Sequence, residues 1–172
     1  MEQFNMEEAI SKAKYASMLW NSPLGEPHAD ELLERMEFSA ATSIVDLGCG
    51  WGELLLRAVA RTGAKGTGVD TEPLAIDRGL RAARESRAGI EFACQSAADW
   101  RETRDRAICI GSSHIFGGSR AMLQRLAEIV PKGRVLVGDT FWERQPTDIA
   151  REMHGDDVPM LIDLVAMCQE TD

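Results

Sequence analysis

The spacing of apolar positions changes near residue 43. Before it, Met6, Ile10, Ala13, Ala16 and Trp20 recur at helical intervals; "NSPLGEP" (21–27) then interrupts the pattern with two prolines and a glycine, and "HADELLERM" (28–36) resumes it. After it, short apolar runs alternate with longer amphipathic ones. The runs "SIVDL" (43–47), "GTGVD" (66–70), "IEFAC" (90–94), "RAICIG" (106–111) and "RVLVGD" (134–139) predict five strands. Helices are predicted over 53–61, 73–84, 119–129, 147–153 and 159–169. Strands alternating with helices predict an α/β domain with a doubly wound, mostly parallel sheet and helices on both faces. Such sheets bind ligands beyond the carboxyl ends of their strands, so the residues just after each strand are the ones to read for chemistry.

The first of these strand ends reads "VDLGCGWGE" (45–53) and places Gly48, Gly50 and Gly52 within five positions, behind Asp46. Absent Cβ atoms let the chain turn sharply into a helix and let a ligand approach the backbone. A plain tight turn would use glycine too. Asp70 ends the second strand 18 residues after Gly52, where a nucleotide-binding fold puts a carboxylate within reach of ribose hydroxyls. An acid there would otherwise cap the helix start at "TEP", but its pairing with the glycine loop favours the ribose. A dinucleotide fingerprint would want glycine at position 53, which is Glu53, and its pyrophosphate would be repelled by Asp46. S-adenosylmethionine carries an ammonium and a sulfonium, which suit that acid.

Composition narrows the partners. The 172 residues, 44% of them apolar, suit one domain with a sizeable core. With 28 acidic against 19 basic residues the formal charge is −9, which disfavours nucleic acid and anionic membrane surfaces. Cys49, Cys94, Cys109 and Cys168 form no CxxC pair and sit in apolar or glycine-rich runs, as reduced core thiols of a cytoplasmic protein would. No metal is expected from three scattered histidines and these cysteines. The first eight residues are polar and acidic, unlike a secretory signal, and no apolar stretch approaches the ~20 residues of a membrane span.

From about Ala40 to Trp142 the chain resembles the class I S-adenosylmethionine-dependent methyltransferases, whose first motif is matched by "VDLGCGWG" and second by "GTGVDTEP". The resemblance implies a Rossmann-like sheet of order 3-2-1-4-5, a single domain over 1–172 and a helical lid over 1–39. It implies that Asp46, Gly48, Cys49, Gly50, Trp51 and Gly52 surround the methionine moiety and that Asp70 and Thr71 meet the ribose. Many members carry an acid where Ser96 stands, to bind the adenine amino group; here Ser96 and the Ala97 backbone are the candidates, with the ring of Trp51 or Trp100 beside them.

The loop after the fourth strand, "GSSHIFGG" (111–118), is the wall that faces the transferred methyl in resembling proteins. Gly111 is expected against the cofactor. His114 is either a general base for an acceptor that must lose a proton or a loop histidine bonded to backbone. Ser112 and Ser113 either position a hydroxyl substrate or, with Ser119, cap the next helix; His28 and His154 are given no role. The segment lacks the Asn-Pro-Pro-aromatic run used on amides and adenine amines, the Pro-Cys used on cytosine, and the acid of metal-dependent catechol-type enzymes. This leaves metal-free transfer to a small molecule, at oxygen first and nitrogen or carbon second. The rival readings are a nicotinamide-dependent oxidoreductase and a non-catalytic protein of the same fold. In the N-terminal region Met18 and Trp20 are expected either in a lid or on the buried face of a helix.

In the resembling family two further strands follow the last helix, whereas here the chain stops at "MCQETD". The run Val135, Leu136, Val137 suits a strand with neighbours on both sides and lacks the proline or lysines that protect an edge. A shortened chain or a homodimer through the fifth-strand edge is therefore expected.

Overall fold

In the computed structural model, which describes residues 17–22, 24–38, 43–155 and 157–171, α1 (Glu26–Arg35) leads into three strand-helix units. These are β1 (Ser43–Leu47) with α2 (Glu53–Thr62), β2 (Lys65–Asp70) with α3 (Pro73–Ser86), and β3 (Ile90–Cys94) with a short 3₁₀ turn at Ala97–Asp99. Then come β4 (Arg106–Ile110), a 3₁₀ turn at Ser113–Phe116, α4 (Ser119–Ile129), β5 (Arg134–Gly138), α5 (Asp148–His154) and α6 (Leu161–Glu170). All four strand pairings are parallel, in the order β3-β2-β1-β4-β5. The chain builds outward from β1 to β3 and then crosses back to β4. The crevice opened by that reversal lies above the adjacent ends of β1 and β4.

β1 shows why this sequence makes a central strand. Ile44 points to one face, packing with Leu33, Leu55 and Ile108, while Val45 and Leu47 point to the other, packing with Met122, Leu126 and Ile129. All of these are fully buried, and burial of each such side chain favours folding by about 1.5–3 kcal/mol. Helix limits follow local chemistry. Pro73 pre-sets the first turn of α3, the Glu72 side chain accepts from Leu74 N, and Gly63 (φ 70°) ends α2 in the left-handed conformation.

Several boundaries move by one or two residues; α1 starts at Glu26, two residues before the expected pattern, because Pro27 is favourable in a first helical turn. Most of the helix expected over Met6–Trp20 lies outside the described residues, and its last part, 17–20, is irregular. Two of the four cysteines are not core residues. Cys94 and Cys168 are exposed, since each stands at the end of its element where the apolar pattern has already run out. β5 is a sheet edge, with Val135 37% exposed; this is the surface on which the expectation of a covering strand or second copy rests. Among the described residues no helix is long and apolar enough to cross a membrane.

Candidate functional site

The glycine turn is tied to β2 through its backbone. The amides of Gly48 and Cys49 both donate to Val69 O, at 2.8 and 3.1 Å, and Gly50 N–H donates to Asp70 Oδ2 at 2.7 Å. The other oxygen of Asp70 accepts from Glu72 N at 2.9 Å, so two amides orient the carboxylate at the strand end. Each oxygen keeps a further acceptor position. Gly48 has φ 78°, and a Cβ there would lie 2.1 Å from Ser112 Oγ, so the turn is seated directly against the loop after β4.

A cavity of about 440 Å³ opens between these two loops. Asp46, Gly48, Cys49, Trp51, Asp70 and Thr71 line it from the glycine-turn side, and Gly111, Ser112 and His114 from the β4 side. Gly50 and Gly52 are buried behind that wall, where they shape the turn. Ser96 and Ala97 do not line the cavity: Ala97 is buried and Ser96 Oγ accepts from Ala98 N at 3.3 Å, capping its own 3₁₀ turn. Trp100 is also packing, with its Nε1–H donating to Glu102 O at 2.8 Å.

The N-terminal segment closes one side of the cavity with Trp20, Asn21 and Ser22. Trp20 anchors it in the core with the Arg57 guanidinium 4.7 Å over its ring, and two hydrogen bonds add to this. Trp51 Nε1–H donates to Leu19 O at 2.9 Å, and Arg78, whose guanidinium lies 4.0 Å over the Trp51 ring, donates to Met18 O at 2.7 Å. Trp20 is buried while Met18 is exposed.

Electrostatically the floor is acidic. Asp46 is 5% exposed, and burial, reinforced by the charge of Asp70, pushes its carboxyl up to about 8. Among the described residues no donor is bonded to it. Burial and these same two acids push the Cys49 thiol up, and burial pushes Cys109 up to about 12, so neither thiol is an accessible thiolate nucleophile.

His114 stands exposed in the Ser113–Phe116 turn, and no bond of its imidazole to backbone is found among the described residues. The serines around it do not cap α4, whose N-cap is Gly118 without a side-chain bond. Ser113 Oγ instead donates to Asp139 Oδ1 at 2.9 Å and Ser119 Oγ to Asp139 Oδ2 at 2.5 Å. Asp139 was given no role by the sequence reading, although an acid directly after a parallel strand was a visible signal. His28 and His154 are outside the cavity wall, His154 lying edge-on to Trp142 at 5.7 Å. Among the described residues no cluster of His, Cys, Asp or Glu is arranged to hold a metal.

The acceptor set fits a cationic nucleoside cofactor. A buried carboxyl without a donor is stabilised in its ionised form by a positive group brought beside it, while Asp70 presents an oriented acceptor pair for hydroxyls. Comparison with known proteins agrees. Residues 44–133 match the methyltransferase domain family. The chain is 30% identical over 131 residues to YjhP of Escherichia coli, covering 73% of this chain and 53% of that protein. It is 37% identical over 113 residues to trans-aconitate 2-methyltransferase of Paracidovorax citrulli, covering 63% and 42%. It thus spans about half the length of these curated relatives. The structure of a Thiobacillus denitrificans S-adenosylmethionine-dependent methyltransferase, in complex with S-adenosyl-L-homocysteine, superposes with a TM-score of 0.82 at 26% identity, over 94% of this chain and 69% of that one. The match over half the sequence, carried on a parallel 3-2-1-4-5 sheet, shows that the chain belongs to the methyltransferase domain family, in its class I, S-adenosylmethionine-dependent branch.

Proposed function

We propose that this chain binds S-adenosylmethionine in the cavity above β1 and β2 and serves methyl transfer to an oxygen of a small-molecule acceptor. The observation that carries the reading is the pairing of an oriented Asp70 with a buried, donor-free Asp46 around the glycine turn. When bound, the cofactor supplies an electrophilic methyl group. Asp70 holds ribose hydroxyls, Asp46 faces the positive end, and the turn backbone leaves room for both. Ser96 and Ala97, which are outside the cavity lining, stay as candidates for the adenine edge.

On the opposite wall, His114 is the histidine that lines the cavity, and its role is to take the proton that an acceptor hydroxyl loses. Oxygen is favoured over nitrogen because an alcohol or phenol needs that base, whereas a neutral amine attacks with its own lone pair. No observation favours an oxidoreductase. The relative named for trans-aconitate makes that acid a reasonable first compound in an acceptor screen with labelled methyl donor, beside alcohols and phenols. His114→Ala is expected to lower turnover by ~100-fold or more on any hydroxyl acceptor found, with cofactor affinity nearly intact. An equally active variant would return His114 to a loop histidine.

A further inference from the structure

We propose that Asp139 is a positioning residue for the acceptor wall, its carboxylate latching the His114 turn in register with the cofactor turn. The inference rests on the reading of that cavity as the cofactor site. The turn has backbone bonds of its own, Ile115 N–H to Ser112 O at 3.1 Å and Gly118 N–H to Ser113 O at 3.0 Å, and rests Ile115 and Phe116 on the core. It is flanked by Gly111 at one end and by Gly117 (φ 88°) and Gly118 (φ 115°) at the other, and a Cβ at any of the three would meet nothing within 4 Å. Its own side chains make one local bond, Ser112 Oγ to Ile110 O at 3.2 Å.

Beside the backbone bond from Gly111 N–H to Gly138 O at 2.7 Å, Asp139 supplies a side-chain tie to β5. One oxygen accepts from Ser113 Oγ (2.9 Å) and from Thr140 N (2.9 Å), the other from Ser119 Oγ (2.5 Å). The residue directly after β5 thereby joins the start of the His114 turn to the start of α4. Charge-assisted hydroxyl bonds are about twice as strong as neutral ones, so a single carboxylate is a strong latch. On the other side Ser112 fills the space that any side chain at position 48 would need. A shift of the turn is therefore a shift of the surface that touches the cofactor loop. Asp139 itself is not among the cavity-lining residues, so it acts through the turn and does not touch the reacting atoms.

The test uses the whole chain and S-adenosyl-L-homocysteine as probe, with calorimetry for its affinity and diethyl pyrocarbonate labelling, read by mass spectrometry, for each histidine. In the parent protein the ligand should slow labelling of His114 about tenfold while leaving His28 and His154 unchanged. Asp139→Ala should bind the ligand within about threefold of the parent yet lose most of that protection, and Asp139→Asn, which can still bridge both serines, should restore most of it. A role in stability alone would lower the melting temperature without separating affinity from protection. If Asp139→Ala fails to fold, Ser113→Ala removes one tie and carries the same expectation. Parent-like protection in these variants, or a bound ligand that leaves His114 unprotected in the parent, overturns the inference. Failure of the parent to bind the ligand would instead overturn the proposed function.

Discussion

Gly50 and Asp70 are bonded across the β1–β2 junction, backbone N–H to Oδ2 at 2.7 Å, so the acid at one strand end holds the turn at the other. The same carboxylate accepts from Glu72 N through Oδ1. Asp70→Asn keeps the shape but offers one acceptor oxygen in place of two, which leaves either Gly50 or Glu72 facing an NH₂ donor. Removing an acceptor from a donor of this kind costs about 1–3 kcal/mol. Amide exchange at Gly50 or Glu72 should accelerate by roughly tenfold or more, and parent-like exchange at both would show that the carboxylate does not hold the turn.

Gly48 is the glycine with the least freedom to change. Alanine there must adopt φ 78° and place its Cβ 2.1 Å from Ser112 Oγ. The strain alone costs about 1–3 kcal/mol, which for a chain of this size lowers Tm by roughly 3–10 °C. Combining Gly48→Ala with Ser112→Gly should recover the contact part of the loss and leave the backbone part. Additive effects in that cycle would mean the two loops are not in contact.

The sign of the Asp46 shift sets a pH dependence. The folded protein holds this proton up to about 8, whereas an unfolded carboxyl releases it near 3.8. Its contribution to stability is therefore fully present below about 4, declines as pH rises above that, and is lost through about 8. Asp46→Asn should flatten that decline in thermal melts. Binding of S-adenosylmethionine, whose positive charge favours the ionised acid, should release roughly half a proton or more at pH 7. Calorimetric enthalpies in Tris and in phosphate would then differ, and differ less for the uncharged-sulfur product; buffer-independent enthalpies for both ligands would contradict the assignment.

Arg78 straps the N-terminal segment to α3 through Met18 O and the Trp51 ring. Arg78→Ala should raise hydrogen exchange over 17–22 while β1 and β2 stay protected. Unchanged exchange in that segment would show that Arg78 does not hold it.

What the sequence made legible is what depends on local pattern. The five strands and the glycine turn with Asp46 and Asp70 are written in short apolar runs and fixed spacings, because a strand buried on both faces, such as β1, has little else to be, whereas the strand order followed from the family resemblance. Contacts between distant segments were not legible. Ser113 reads either as a substrate-positioning hydroxyl or, with Ser119, as a helix cap, and only the sheet register that carries β5 beside β4 brings Asp139 to them. The bond that Ser96 Oγ accepts from Ala98 N is likewise a feature of the folded turn. Cys94 and Cys168 read as core because periodicity does not say where an element stops.

The central claim is that the glycine turn and Asp70 form an S-adenosylmethionine site, and the most direct measurement is a calorimetric titration of the parent and Asp70→Ala with S-adenosyl-L-homocysteine and with NADH. The parent should bind S-adenosyl-L-homocysteine one to one and ignore NADH. Asp70→Ala, still folded, should bind about tenfold or more weakly, as the loss of hydrogen bonds to a charged acceptor requires. NADH binding that S-adenosyl-L-homocysteine cannot displace, or an Asp70→Ala variant with parent affinity, would contradict the account.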